Sequence, residues 1–216
     1  ILFNKISKEV TLSHMQLIKD LISKSNIIPD IIGFHGQTIY HNPAKRISIQ
    51  LGDACLLSKL LELTVISDFR NKDIKNGGQG APIAPIYHKS LMKKHNLNLP
   101  CCFLNIGGVA NISFWDGNQL IGFDTGPGNG LIDHYVQERF QLDFDENGYL
   151  ASTGNADMIL VNLIMKDIYF KKMSPKSLDK FSFNYIFTSP QFINLKPNDA
   201  ISTLSEITII SIIKAI

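Results

Sequence analysis

Two glycine-containing segments carry the residue types best suited to chemistry: Ile106-Gly107-Gly108-Val109 and Asp124-Thr125-Gly126-Pro127-Gly128. Turns of this composition leave backbone N–H groups approachable, with no Cβ in the way. A helix that follows adds the positive end of its dipole, so both segments suit phosphate oxygens. The second opens directly onto a predicted helix that starts at Asn129. Asp124 sits at the end of a predicted strand beside that turn, where it can accept a proton from an attacking hydroxyl or water, or hold a magnesium ion. A turn built for geometry alone has the same composition, and both readings stand at this level.

A second group is Asp68-Phe69-Arg70 with Asp73, placed between a predicted strand and the glycine-rich run Asn76-Gly77-Gly78-Gln79-Gly80-Ala81-Pro82. The arginine fork matches a carboxylate or phosphate, with Asp68 fixing the guanidinium. The alternative is an Asp–Arg pair that staples the loop to the body of the fold. His35-Gly36-Gln37-Thr38, with His41 close behind, follows another apolar strand, where ligand-facing loops of open α/β sheets gather. The two histidines have no HExxH spacing and no cysteine partner, so no metal site is assigned. There is no GxSxG elbow and no GxxxxGK[ST] loop, which argues against an α/β-hydrolase and a Walker-type NTPase. The pattern favours phosphoryl transfer without naming a substrate.

These residues need elements to hold them. Leu17, Ile18, Leu21 and Ile22 share one helical face, Pro29 breaks that helix, and residues 31–34 read as a strand. Ile47, Ile49 and Leu51 alternate with Ser48 and Gln50 as in a strand; Asp53 then caps a helix bearing Leu56, Leu57, Leu60 and Leu61, and residues 64–67 form another strand. The order implies a layered α/β arrangement with a mixed sheet. Residues 76–82 cannot be regular structure. Three short strands follow, at 102–106, 111–115 and 119–123, the last two joined by Asp116-Gly117-Asn118. A helix burying Leu131, Ile132, Tyr135, Val136 and Phe140, another over 156–170 and a last one over 199–216 complete the reading. Residues 1–100 and 101–216 are expected to belong to two α/β lobes.

The 216 residues, 44% hydrophobic and 19% charged, are enough for a buried core. The net charge of +2 comes from scattered residues, which argues against a nucleic-acid partner. No apolar run reaches the roughly 18 to 20 residues that span a bilayer. Cys55 and the adjacent Cys101 and Cys102 are expected to be reduced, with the vicinal pair buried.

The same motifs, in the same order and without gaps, closely resemble the anhydro-N-acetylmuramic acid kinase family. They are His35-Gly36-Gln37-Thr38, Gln50-Leu51-Gly52-Asp53, Ser67-Asp68-Phe69-Arg70 with Asp73, and Gly77-Gly78-Gln79-Gly80-Ala81-Pro82. Asn105-Ile106-Gly107-Gly108-Val109-Ala110-Asn111 and Gly122-Phe123-Asp124-Thr125-Gly126-Pro127-Gly128-Asn129 follow. The resemblance implies a cytoplasmic, ATP- and Mg2+-dependent enzyme with the two ribonuclease-H-like lobes of the sugar kinase, heat-shock chaperone and actin superfamily, homodimeric when intact. It implies conversion of 1,6-anhydro-N-acetylmuramic acid to N-acetylmuramic acid 6-phosphate in peptidoglycan recycling. It implies Asp124 as the base that activates water, and Asp68, Arg70, His35 and Gln37 on the sugar side, Arg70 facing the lactyl carboxylate. Gly107, Gly108, Asn111, Gly126 and Gly128 fall on the nucleotide side. The rival assignment makes Asp68 the base and Asp124 a magnesium or substrate ligand.

Three departures accompany the resemblance. The chain begins at Ile1 without the family's Gly-Thr-Ser-x-Asp-Gly phosphate hairpin, and it stops before the glycine-rich nucleotide turn that follows the last helix. Pro175-Lys176-Ser177-Leu178-Asp179-Lys180 replaces the usual Thr-Gly followed by Arg. The expectation is a fold truncated at both ends, with little or no kinase activity from this polypeptide alone; the alternative function is a non-catalytic remnant or sugar-binding module.

Overall fold

The computed structural model describes residues 2–179 and 181–216, so Ile1 and Lys180 lie outside the described residues. The chain divides into two units, Ile1–Ile83 and Ala84–Ile216. Both mix helix and strand, as the alternating periodicities require.

In the first unit, α1 (Leu2–Ser25) packs against β3 and α2. β1 (Ile31–Gly33), β2 (Gln37–Asn42), β3 (Ile47–Leu51), α2 (Ala54–Leu61), β4 (Thr64–Ile66) and α3 (Asn71–Lys75) follow. β1 pairs with β4 in parallel and β2 with β3 antiparallel, as two separate pairs rather than the expected single mixed sheet. Only part of the periodic face of α1 turns inward, at Ile18 and Ile22, which are partly buried. Leu17 and Leu21 are exposed, while Ser7 and Thr11 are buried. The reason is polar: Gly52 N–H donates to Ser7 Oγ and Asp53 N–H to Thr11 Oγ1, both at 2.8 Å, so the helix is fastened to the turn that enters α2. Asp53 caps α2 as expected, Oδ1 accepting from Leu56 N–H at 2.9 Å. On β3 the isoleucines face outward and Ser48 inward, where its hydroxyl accepts from Gln50 and pairs with His41.

The second unit starts with α4 (Pro85–Lys94), which packs on β6 and β7 of a three-stranded antiparallel sheet. Its strands are β5 (Cys101–Ile106), β6 (Val109–Trp115) and β7 (Leu120–Pro127), with β6 central. Asp116 N–H bonds Gln119 O, and Gly117 takes the positive φ that the turn needs. β7 runs four residues beyond its expected end, so Asp124 to Pro127 are strand, not turn. The core lies between α5 (Gly130–Phe140), α6 (Tyr149–Ser152), α7 (Met158–Ile164), α8 (Ile168–Lys171), α9 (Pro190–Ile193) and α10 (Pro197–Ile213), around Val136, Leu160, Ile186, Ile201, Leu204 and Ile207. The expected long helix over 156–170 is α7 and α8, because Asp167 interrupts it by capping α8. All three cysteines are free, but Cys55 and Cys102 are exposed and Cys101 is only partly covered, so the vicinal pair is not buried. Among the described residues no helix is long and apolar enough to cross a membrane.

Candidate active site

The first unit contains a cavity of about 260 Å3, lined among others by Phe34, His35, Gln50, Asp68 and Arg70. Arg70 precedes α3, and its guanidinium is held on two sides. Nε donates to His35 Nε2 at 2.9 Å and Nη1 to the Gly80 carbonyl at 2.6 Å. An arginine Nε is always a donor, so His35 Nε2 is the acceptor and Nδ1 carries the hydrogen given to Gly36 O at 2.8 Å. Among the described residues nothing accepts from Nη2, which leaves one edge of the fork for an incoming anion. Burial pushes the Arg70 pKa below its ordinary value, and it pushes His41 down too, with the Arg70 charge adding to the effect.

Asp68 lines the cavity but does not fix the guanidinium. It takes a left-handed backbone conformation, φ 61°, and Oδ1 accepts from Asn71 Nδ2 at 2.5 Å. His35 does the work expected of Asp68. Gln37, the first residue of β2, is exposed and outside the cavity lining; Gln50, two positions before Gly52 on the partner strand, takes that place. Asp73 braces the glycine-rich loop, Oδ2 accepting from Gly80 N–H at 2.7 Å, and Gly78 packs so closely on this carboxylate that a side chain there would collide with it. The loop that receives Arg70 at Gly80 O is thereby fixed from α3.

In the second unit, Asp124 lies on β7 directly across from Asn111 on β6, so the two side chains share one face of the sheet. The register steps from Ala110–Gly126 to Asn111–Asp124, which makes Thr125 the extra residue of a bulge. Bulges re-aim neighbouring side chains. Asp124 is half-buried, and this burial raises its pKa against the opposing hydrogen bond from Leu178 N–H. The carboxyl therefore holds a proton more readily than an exposed aspartate, which suits a general base.

The two glycine segments meet each other. Gly128 and Gly130 N–H both donate to Gly108 O at 3.1 Å, and Asn129 N–H donates to Gly107 O at 2.7 Å. A Cβ on Gly128 would strike Gly107 O, and one on Gly126 would lie 2.6 Å from Ser211 Oγ of α10. Gly126 and Gly128 thus permit close packing. Gly107 and Gly108 differ: a Cβ there would meet nothing nearer than 3.5 Å, so their open side fits an approaching phosphate. Among the described residues no group of three or more His, Cys, Asp and Glu side chains is placed to hold a metal ion. The partners of Asp124 beyond the sheet, the Tyr169 hydroxyl, Lys176 O and Leu178 N–H, had no local sequence signal, since they lie 45 to 54 residues away.

A family model described as Anhydro-N-acetylmuramic acid kinase matches residues 2–216. Curated relatives of that name include one from Pelagibacter ubique, 40% identical over 99% of this chain and 57% of its own length. Others come from Methylobacterium nodulans, 38% identical over 97% and 56%, and Zymomonas mobilis, 40% identical over 96% and 56%. The chain thus spans a little over half the length of these relatives.

Proposed function

The chain belongs to the anhydro-N-acetylmuramic acid kinase family, and from that premise we propose that its residues serve ATP-dependent phosphorylation of 1,6-anhydro-N-acetylmuramic acid. The reaction opens the anhydro ring with water and yields N-acetylmuramic acid 6-phosphate, a step in cell-wall recycling in the cytoplasm. On this reading the two units belong to the ribonuclease-H-like lobes of a sugar kinase, homodimeric when intact.

Water attacks the anomeric carbon and gives its proton to Asp124; the bond from that carbon to O6 breaks, and O6 takes the γ-phosphoryl group as its bond to the β-phosphate oxygen breaks and ADP leaves. ATP with Mg2+ supplies the phosphoryl group when bound. Gly107 and Gly108 offer the open main chain for phosphate, Asn111 stands beside the base, Gly128 lets the two segments approach closely, and Gly126 lets the second pack on α10. Arg70, oriented by His35 and Gly80, donates to the lactyl carboxylate.

The observation that carries the reading is the half-buried Asp124 with its raised proton affinity. It favours Asp124 over the exposed, Asn71-bound Asp68 as base. In the protein that carries these residues, Asp124→Asn should lower turnover by about 100- to 10,000-fold while sugar affinity stays unchanged. Near-normal turnover of the variant would refute the role.

A further inference from the structure

Asp124 is held by more than the sheet. β7 is an edge strand, hydrogen-bonded on one side to β6. On its other side, Asp124 N–H donates to Lys176 O at 3.0 Å and Asp124 O accepts from the Tyr169 hydroxyl at 2.5 Å. The carboxylate is gripped as well, Oδ2 accepting from Leu178 N–H at 2.8 Å. Main chain on both sides of the side chain is therefore fixed, and the side chain is fixed through one oxygen only. Among the described residues no donor reaches Oδ1.

We propose that the main chain of residues 176–178, with the Tyr169 hydroxyl, is a positioning clamp that engages Oδ2 of Asp124 and leaves Oδ1 as the oxygen that receives the proton. The inference rests on Asp124 acting as the base. A carboxylate free to rotate about χ2 would present either oxygen, whereas a bond to Oδ2 selects one orientation before substrate arrives. Tyr169 suits its part, because burial and the charge of Asp124 both raise its pKa and keep the hydroxyl a donor. Lys176 is itself anchored: its ammonium lies 4.6 Å from the centre of the Tyr169 ring and donates to Tyr169 O at 3.3 Å. The Leu178 side chain packs against the hydrophobic core, so the donor sits on a supported segment. Residues 176 and 178 thus reach Asp124 through main-chain groups that a change of side chain leaves in place.

The test removes one hydrogen. Replacing Leu178 by its α-hydroxy acid turns the amide into an ester, deleting the N–H with the side chain intact; Leu178→Ala keeps the N–H and serves as the control. The Asp124 carboxyl is titrated by 13C NMR in this chain. In the ester the apparent pKa should rise by about one pH unit, because a donor to the charged form is gone. The alanine variant should titrate like the parent. An unchanged pKa in the ester, or an equal rise in the alanine variant, overturns the clamp. In the catalytically competent protein, the acid limb of the turnover profile should move up by the same amount, and Tyr169→Phe should lower kcat several-fold at constant KM for the sugar. If the carboxyl titration shifts and the turnover profile does not follow it, Asp124 is not the base and the proposed reaction mechanism fails, while the clamp on its carboxylate stands.

Discussion

Gly128 and Gly108 face each other across the two glycine segments, yet alanine should affect them in opposite ways. A Cβ on Gly128 would strike Gly107 O and lie 3.0 Å from Ala110 N and 3.1 Å from Val109 C, all main-chain atoms that no rotamer change can move. Overpacking of this kind costs about 1–3 kcal/mol. Separating the segments to relieve it weakens the bonds from Gly128, Asn129 and Gly130 to Gly107 and Gly108, each worth about 0.5–1.5 kcal/mol. Together these give about 3–5 kcal/mol of destabilisation. At Gly108 the nearest atom to an added Cβ is Gly130 Cα at 4.0 Å, and φ lies outside the left-handed region. Gly108→Ala should therefore stay within about 1 kcal/mol of the parent, on the stabilising side if the chain entropy term prevails. The single tryptophan, Trp115, is 7% exposed on β6 and reports on this sheet by its fluorescence. With an m value of about 2 kcal/mol/M, the urea midpoint should fall by about 1.5–2.5 M for Gly128→Ala and hardly move for Gly108→Ala. Equal shifts in the two variants would refute the division into packing glycines and phosphate-facing glycines.

Two further outcomes follow from the charged groups. Burial raises the Asp124 pKa above its ordinary 3.8, so between that pH and the folded value the native state binds more protons than the unfolded chain, and stability declines as pH rises through the window. Asp124→Asn should consequently melt above the parent at pH 7 and converge with it near pH 3 by calorimetry; a variant that melts lower at pH 7 would contradict the sign. Asp73→Ala removes the acceptor of Gly80 N–H, and that amide should exchange with deuterium about ten times faster or more, since hydrogen bonds to charged groups contribute about 1.5–3 kcal/mol.

Local patterns were legible where the physics is local. Asp53 as a helix cap, Asp116-Gly117-Asn118 as a turn and the buried face of α5 all depend on neighbours within four residues, and they stand as read. Apolar periodicity marked Ile18 and Ile22 of the inward side of α1 but not Ser7 and Thr11, which fasten that helix through hydroxyls that carry no periodic signal. It missed β2, where Gln37, Thr38 and His41 dilute the strand pattern, and α3, which is five residues long. At the site, residue type marked Arg70 and Asp124 but not their partners. Asp68, two positions away, was the natural candidate to orient the guanidinium; His35 is the group that reaches it, from the end of β1. Asp124 likewise takes its hydrogen bonds from residues that only tertiary packing brings near.

The carboxylate of the sugar provides the most direct measurement. Titration calorimetry of this chain with 1,6-anhydro-N-acetylmuramic acid, and with 1,6-anhydro-N-acetylglucosamine as the analogue lacking the lactyl group, isolates what Arg70 recognises. The parent chain should favour the lactyl sugar by about 10- to 100-fold, as a charge-assisted bond to the guanidinium warrants, and Arg70→Ala should bind both sugars alike. Equal affinity of the parent for the two sugars, or a preference that survives in Arg70→Ala, would contradict the assignment of this cavity to the sugar carboxylate.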